Sequence, residues 1–256
     1  MEYMKKNETV SYHLAQLQHL GSATQAAILS RFFKTGPGEY GEGDLFLGIK
    51  TPVIRQYERE HRPWNTAVLH ELLNRPEHEA RSLALIALTH LYKKAGKDTA
   101  EKQALFQFYI DHFPRINNWD LVDISCPHII GEHILNIQPE KESLLYQWAE
   151  SEDLWIKRIS VVSTLTFIHS SHFEPTLNLC ARLLRDTHDL IHKATGWMLR
   201  EVGKKDESIL LAFLDTHVSQ MPRTTLRYAL ERMPASVRSD YMSRPSLYGR
   251  QIKSRN

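Results

Sequence analysis

Strand signals are nearly absent from this chain of 256 residues, while helical spacing recurs along its whole length. No Asn-Gly or Asp-Gly turn sits between alternating apolar runs, so hairpins have nothing to nucleate them. Residues 77–94 place Leu83, Ile86, Ala87, His90 and Leu91 on one stripe. Residues 153–168 do the same with Leu154, Ile159, Val162, Leu165 and Ile168. The i, i+3, i+4, i+7 pattern predicts an amphipathic helix over each segment. Pro63, Pro76, Pro114, Pro139, Pro175, Pro222 and Pro234 fall at or near the expected helix starts, where a missing N–H costs least. The fold class that follows is all-α.

A weak internal repeat narrows this further. Asp153-Leu-Trp-Ile-Lys157 aligns with Asp189-Leu-Ile-His-Lys193, 36 residues on. Each opens a long helix, and each follows a shorter apolar one, near 141–149 and 174–184. Helix pairs recurring at about 35–45 residues predict an α-solenoid of HEAT-like repeats, a single curved domain over 1–256 with a concave groove suited to binding. One segment breaks the rhythm: 35–44, Thr35-Gly-Pro-Gly-Glu-Tyr-Gly-Glu-Gly-Asp44, holds four of the eleven glycines. It lacks the Gly-Lys-Ser/Thr ending of a phosphate-binding loop. The loop rules favour flexible linkage there, with a lid or DNA-touching loop as the other reading.

Composition excludes several classes. No run approaches the ~18 apolar residues of a membrane span, and the start, Met1 to Thr9, lacks the apolar stretch of a signal peptide. Cys126 and Cys180 form no CxxC and no disulfide framework, so a cytoplasmic setting is expected. The net charge of +2 is unevenly spread: residues 220–256 carry +6 and the first 219 carry −4. A basic end, with 244–256 as its tail, suits a polyanion such as nucleic acid, or else serves only as a solvated tail.

Three short constellations carry chemistry. In Asn117-Asn-Trp-Asp-Leu-Val-Asp123 the asparagines are good N-caps, so a helix should start near Trp119 and put Trp119 and Asp123 on one face. Leu121 and Val122 would then serve the core, and Asp120 reads as a first-turn carboxylate favoured by the helix dipole. Taken alone, the motif reads better as a packed Trp and a solvated Asp, since most Trp residues serve packing. In Leu154-Trp-Ile-Lys-Arg-Ile159, Trp155 reads as core, and Lys157 and Arg158 as phosphate donors or as an exposed face. In Ile191-His-Lys-Ala-Thr-Gly-Trp-Met-Leu-Arg200, Lys193 and Trp197 are i, i+4 neighbours. Gly196 costs about 1 kcal/mol in a helix, tolerable where another backbone or a ligand comes close.

Fourteen histidines raise the question of a metal. His128-Ile-Ile-Gly-Glu-His133 has neither zinc-protease spacing, and His169 and His172 have no evident third ligand. No metal is expected. Pro127, between Cys126 and His128, should end or kink the helix there.

Together these motifs resemble the AlkD-like DNA alkylation repair family. Asn-Asn-Trp119-Asp-Leu-Val-Asp123, Leu-Trp155-Ile-Lys-Arg158 and Lys193-Ala-Thr-Gly-Trp197-Met-Leu-Arg-Glu201 agree with it in order, spacing and type, and Phe46-Leu-Gly-Ile-Lys-Thr-Pro52 is similar to its N-terminal region. The likeness runs from about Phe32 to Met233. It implies HEAT-like repeats that curve around duplex DNA and hydrolysis of the N-glycosidic bond of N3- and N7-alkylated purines, without extruding the base. By motif, Asp123 would be the catalytic carboxylate, and Trp119 and Trp197 aromatic walls at the lesion's deoxyribose. Arg158 would grip the backbone phosphate, with Lys157 and Lys193 as further DNA contacts. The implied partner is double-stranded DNA carrying alkylated purines, met in the cytoplasm at the nucleoid. No cofactor, membrane or obligate protein partner is implied. The Gly-rich loop departs from the shorter-looped members.

Two other classes compete. A non-catalytic DNA binder that reads damaged or branched DNA by shape and charge would gain nothing from a carboxylate facing phosphates. A protein-binding HEAT scaffold predicts an apolar groove, not one lined by Arg158 and Lys193.

Overall fold

The protein is described over residues 9–248 by a computed structural model. Residues 1–8, where a leader was sought, and 249–256 of the basic tail lie outside the described residues. Among those described there is no strand, only an isolated bridge between Leu45 and Glu77. No described helix is long and apolar enough to cross a membrane. The chain falls into two compact units, up to residue 125 and from residue 126 on.

The first unit contains α1 (Val10–Leu20), α2 (Ala23–Phe32), α3 (Thr51–Glu60), α4 (Thr66–Leu73), α5 (His78–Lys94), α6 (Thr99–Asp111) and α7 (Trp119–Asp123). Side-chain oxygens cap five of them, from Thr9, Ser22, Asn65, Asp98 and Asn118, each contributing roughly 1 kcal/mol. α5 is the hub, packing against α1, α3, α4, α6 and α7. Its expected stripe is correct as far as it goes, but every residue from His78 to Leu88 is buried, on all sides. Leu83, Leu85, Ile86 and Leu88 are core and contribute roughly 1.5–3 kcal/mol each. The ionisable residues buried with them, His78, Glu79 and Arg81, all have partners, as buried charge demands.

One of those partners explains the Phe46–Pro52 motif. Glu79 is 1% exposed, and its carboxylate accepts from the backbone N–H groups of Leu47, Gly48 and Ile49 at 2.8–3.1 Å. Gly48 has φ +85°, and a Cβ there would stand 2.1 Å from the carbonyl oxygen of Ser22. Thus one acid and one glycine clamp this segment between α5 and the start of α2. The Gly-rich loop is likewise folded on itself. Gly36 N–H donates to Glu39, Gly38 N–H to Glu42, and Gly41 N–H to the Lys34 carbonyl, at 2.9–3.0 Å.

The second unit opens with a π-helical turn, Pro127–Gly131, where Pro127 interrupts the helical ladder as expected. Then follow α8 (Glu132–Asn136), α9 (Ser143–Ala149), α10 (Leu154–Val162), α11 (Leu165–His169), α12 (Glu174–Leu183), α13 (Asp189–Lys205), α14 (Glu207–His217), α15 (Arg223–Ala229) and α16 (Ala235–Ser243). The pairs α9–α10 and α12–α13 lie side by side, with α10 on α13 and α9 on α12. This is the repeat found in the sequence. The helix expected over 153–168 is two, parted at Ser163 and Thr164. Their hydroxyls donate to the carbonyls of Ile159 and Val161 at 2.6 Å, competing with the ladder. The start of the basic tail is tied down: Arg244 pairs with Asp215 and Asp240, and the Tyr248 hydroxyl donates to the Asp186 carbonyl.

Gly196 is answered by packing. A Cβ there would lie 2.5 Å from Cβ of Tyr228 and 2.7 Å from the Thr225 carbonyl oxygen, so α13 and α15 touch backbone to backbone. Gly196→Ala gains about 1 kcal/mol of helix propensity but forces the crossing apart at about 2–3 kcal/mol. Thermal denaturation should therefore show a midpoint several degrees lower. A raised midpoint would mean that α15 gives way freely.

Candidate functional site

α7 has only five residues, too few to persist without tertiary support. The Asn118 side chain caps it, accepting from Trp119 N–H at 2.9 Å. Leu121 and Val122 turn inward and are fully buried. Trp119 and Asp123, one turn apart, turn the other way and are half-buried. Both line one cavity of about 430 Å³, walled by Leu29, Phe32, Phe33, Phe46, Ile49 and Ile54. The indole is fixed by its neighbours. Phe33 stacks on it at 5.2 Å and 15°, and Phe32 meets it nearly at right angles at 5.9 Å. Phe33 is buried, whereas Phe32 is 61% exposed. The first unit therefore holds an indole face and a carboxylate together in a mainly apolar recess, where charge interactions are strengthened.

Beneath α7 lies a buried polar network that local sequence reasoning missed. His78 is held between two carboxylates, with Nδ1 3.1 Å from Asp44 and Nε2 2.8 Å from Asp120. Asp44 ends the Gly-rich loop and also accepts from Arg81 at 2.6 Å and from Asn118 at 3.1 Å. Arg81 in turn donates to Asn117. The His78 ring is stacked on Phe46 at 4.5 Å.

Burial alone would lower the pKa of His78, but the Asp120 charge and the bonds to Asp120 and Asp44 outweigh it and raise it to about 9. Burial would raise that of Asp44, but its bond to His78 and the Arg81 charge prevail and hold it below the usual range. His78 therefore stabilises the fold fully below its ordinary value of 6.5, a contribution lost as pH rises through about 9. Asp120 is thus a partner of His78 and not simply a dipole-favoured acid. The partners stand 34 and 42 residues away along the chain, where no local pattern connects them.

In the second unit, Trp155 is core, as expected. Arg158 is only 5% exposed and donates to the Leu190 carbonyl in the first turn of α13 at 2.7 Å. Lys157 pairs with Asp186 at 2.6 Å, and Lys193 with Asp189 at 2.7 Å. The second pair is an i, i+4 contact that the sequence already allowed. Trp197 is half-buried, one turn beyond Lys193, and its Nε1–H donates to Glu201 at 3.2 Å. Arg158, Lys193 and Trp197 thus gather around the N-terminal half of α13. A phosphate bound by either lysine would compete with that lysine's carboxylate.

Among the described residues, no group of three His, Cys, Asp or Glu is placed to hold a metal ion. His133, from the loose zinc-like motif, is buried and bonds Gln138 at 3.0 Å. Cys126 and Cys180 are buried and form no disulfide, and burial pushes the Cys180 thiol upward.

Comparison with known proteins bears on the fold and the family. A search of curated proteins finds no match. Among solved structures, the fold is similar to that of a predicted DNA alkylation repair enzyme from Enterococcus faecalis, with TM-score 0.65 and 17% identity, over 84% of this chain and 97% of that one. The family described as DNA alkylation repair enzyme matches residues 13–233, which take in all three motifs, so this chain belongs to that family.

Proposed function

We propose that the protein is a DNA glycosylase, a hydrolase that releases N3- and N7-alkylated purines from duplex DNA. The observation that carries this reading is the placement of Trp119 and Asp123 in one aromatic-walled cavity. Alkylation at N7 or N3 makes the purine cationic, so it leaves as a neutral base with the electron pair of the C1′–N bond. The difficulty lies at the sugar, which develops oxocarbenium charge. A fixed carboxylate stabilises that charge and orients the water whose oxygen bonds to C1′ and whose proton the carboxylate accepts. Indole faces attract the same charge by about 0.5–2 kcal/mol each. Asp123 takes the first role, and Trp119 and Trp197 the second.

Arg158 holds the backbone phosphate in its planar fork, with Lys157 and Lys193 as further phosphate contacts. The stacked helix pairs are read as HEAT-like repeats. The base is released without being extruded into a pocket, in the cytoplasm and at the nucleoid. The chemistry asks for no metal or cofactor.

The test is release of free 7-methylguanine from methylated duplex DNA. Release above the spontaneous background supports the reading. Duplex binding with no release would replace it with the non-catalytic DNA binder.

A further inference from the structure

Besides the bond of the Ser125 hydroxyl to that of Tyr109 at 2.8 Å, three polar ties run from the start of the α7 region to the rest of its unit and lead to one carboxylate. Asn118 donates directly to Asp44. Asp120 reaches Asp44 through the two nitrogens of His78. Asn117 reaches it through Arg81. We propose that Asp44, with His78 as its bridge, is a positioning device that sets the rotation of α7 and thereby the placement of Trp119 and Asp123. The inference rests on reading Asp123 as the catalytic carboxylate.

The geometry suits positioning better than mere cohesion. Buried ion pairs are often no more stabilising than apolar residues of the same volume, but they fix direction. The His78 ring is locked, with both nitrogens engaged and one face on Phe46. It therefore fixes one oxygen of Asp120, which stands one residue after Trp119 and three before Asp123. The other oxygen, Oδ1, is buried with no hydrogen-bond partner, so the carboxylate hangs on His78 alone. The tie also depends on a proton. Imidazolium donates from both nitrogens, whereas neutral imidazole donates from one. Once the proton leaves, one of the two carboxylates loses its donor. The charged groups facing His78 are Asp44 from the loop, Asp120 from α7 and Arg81 from its own helix; the end of α2 contributes the Phe33 ring. Asp44 and His78 act through α7 and are positioning residues.

The experiment pairs single-turnover release of 7-methylguanine, between pH 7 and 10, with amide hydrogen exchange over 119–125. In the wild type, release should fall as pH rises past about 9. His78→Gln should lower release about 10–100-fold, as small misplacements of catalytic groups do. Its rate should be flat across that pH break, and its DNA affinity within about twofold of wild type. Exchange should quicken in 119–125 and stay unchanged in α6. Asp120→Asn keeps an acceptor for His78 but removes the charge, so it should move the break to lower pH. That variant provides the test if His78→Gln does not fold.

Wild-type rates with unchanged α7 exchange in His78→Gln would overturn the proposal. So would exchange that quickens throughout the first unit, or an unmoved pH break in Asp120→Asn. A wild type that releases no base, but whose α7 exchange still answers to His78→Gln, would retire the glycosylase reading and leave the positioning device standing.

Discussion

Asp123→Asn should lower single-turnover release of 7-methylguanine by about 10²–10³-fold, the usual effect of deleting one preorganised charge-stabilising group. The change is nearly isosteric. On the proposed mechanism it removes the negative charge that faces the developing oxocarbenium ion and the oxygen that takes the proton of the attacking water. Asp123 shares its recess with Trp119 and the apolar side chains of Leu29, Ile49 and Ile54. DNA affinity should stay the same or tighten, because a carboxylate near phosphates repels the polyanion. The pair of measurements is a burst rate and a dissociation constant at fixed salt. A variant that binds DNA and releases base at the wild-type rate would remove Asp123 from the chemistry. One that loses binding or folding would make it structural.

The largest effect on stability is expected at Glu79. Truncation to Ala strands the N–H groups of Leu47, Gly48 and Ile49. At roughly 1–3 kcal/mol per unsatisfied donor, partly recovered where water enters, the loss is about 3–6 kcal/mol. The thermal midpoint should fall on the order of 10 °C. Glu79→Gln should sit between Ala and wild type. One amide oxygen can serve Gly48 and Ile49, both bound to Oε1 in the native protein, while the amide nitrogen faces the Leu47 donor. A midpoint within about 2 °C of wild type for the Ala variant would show that segment 45–50 finds other acceptors.

Periodicity carried the fold a long way. The α5 helix, the start of α7 at its Asn cap and the pairing of α9–α10 with α12–α13 were all legible, because each is written in neighbouring residues. The parting at Ser163–Thr164 was not, since these residues are near-neutral in helices and only their hydroxyl bonds end α10. The three motifs of the candidate site were legible by type and spacing, and the one-turn relation of Trp119 to Asp123 placed both in one cavity. The support beneath them was hidden. Asp44 read as the end of a Gly-rich loop, His78 as part of a helix start and Asp120 as a first-turn acid favoured by the helix dipole. Only the tertiary fold brings residues 34 and 42 apart in the chain to one imidazole.

The stacking of Phe33 on Trp119 has a consequence of its own. A ring has two faces, and here one is permanently covered at 5.2 Å. Anything that meets the π cloud of this indole must come to the other face. A duplex strand has a direction, and its sugars are chiral. On the proposed reading, a one-sided indole beside a fixed acid accepts a deoxyribose running in one sense and rejects its reverse. Phe33 would then turn a non-directional aromatic surface into a detector of strand polarity.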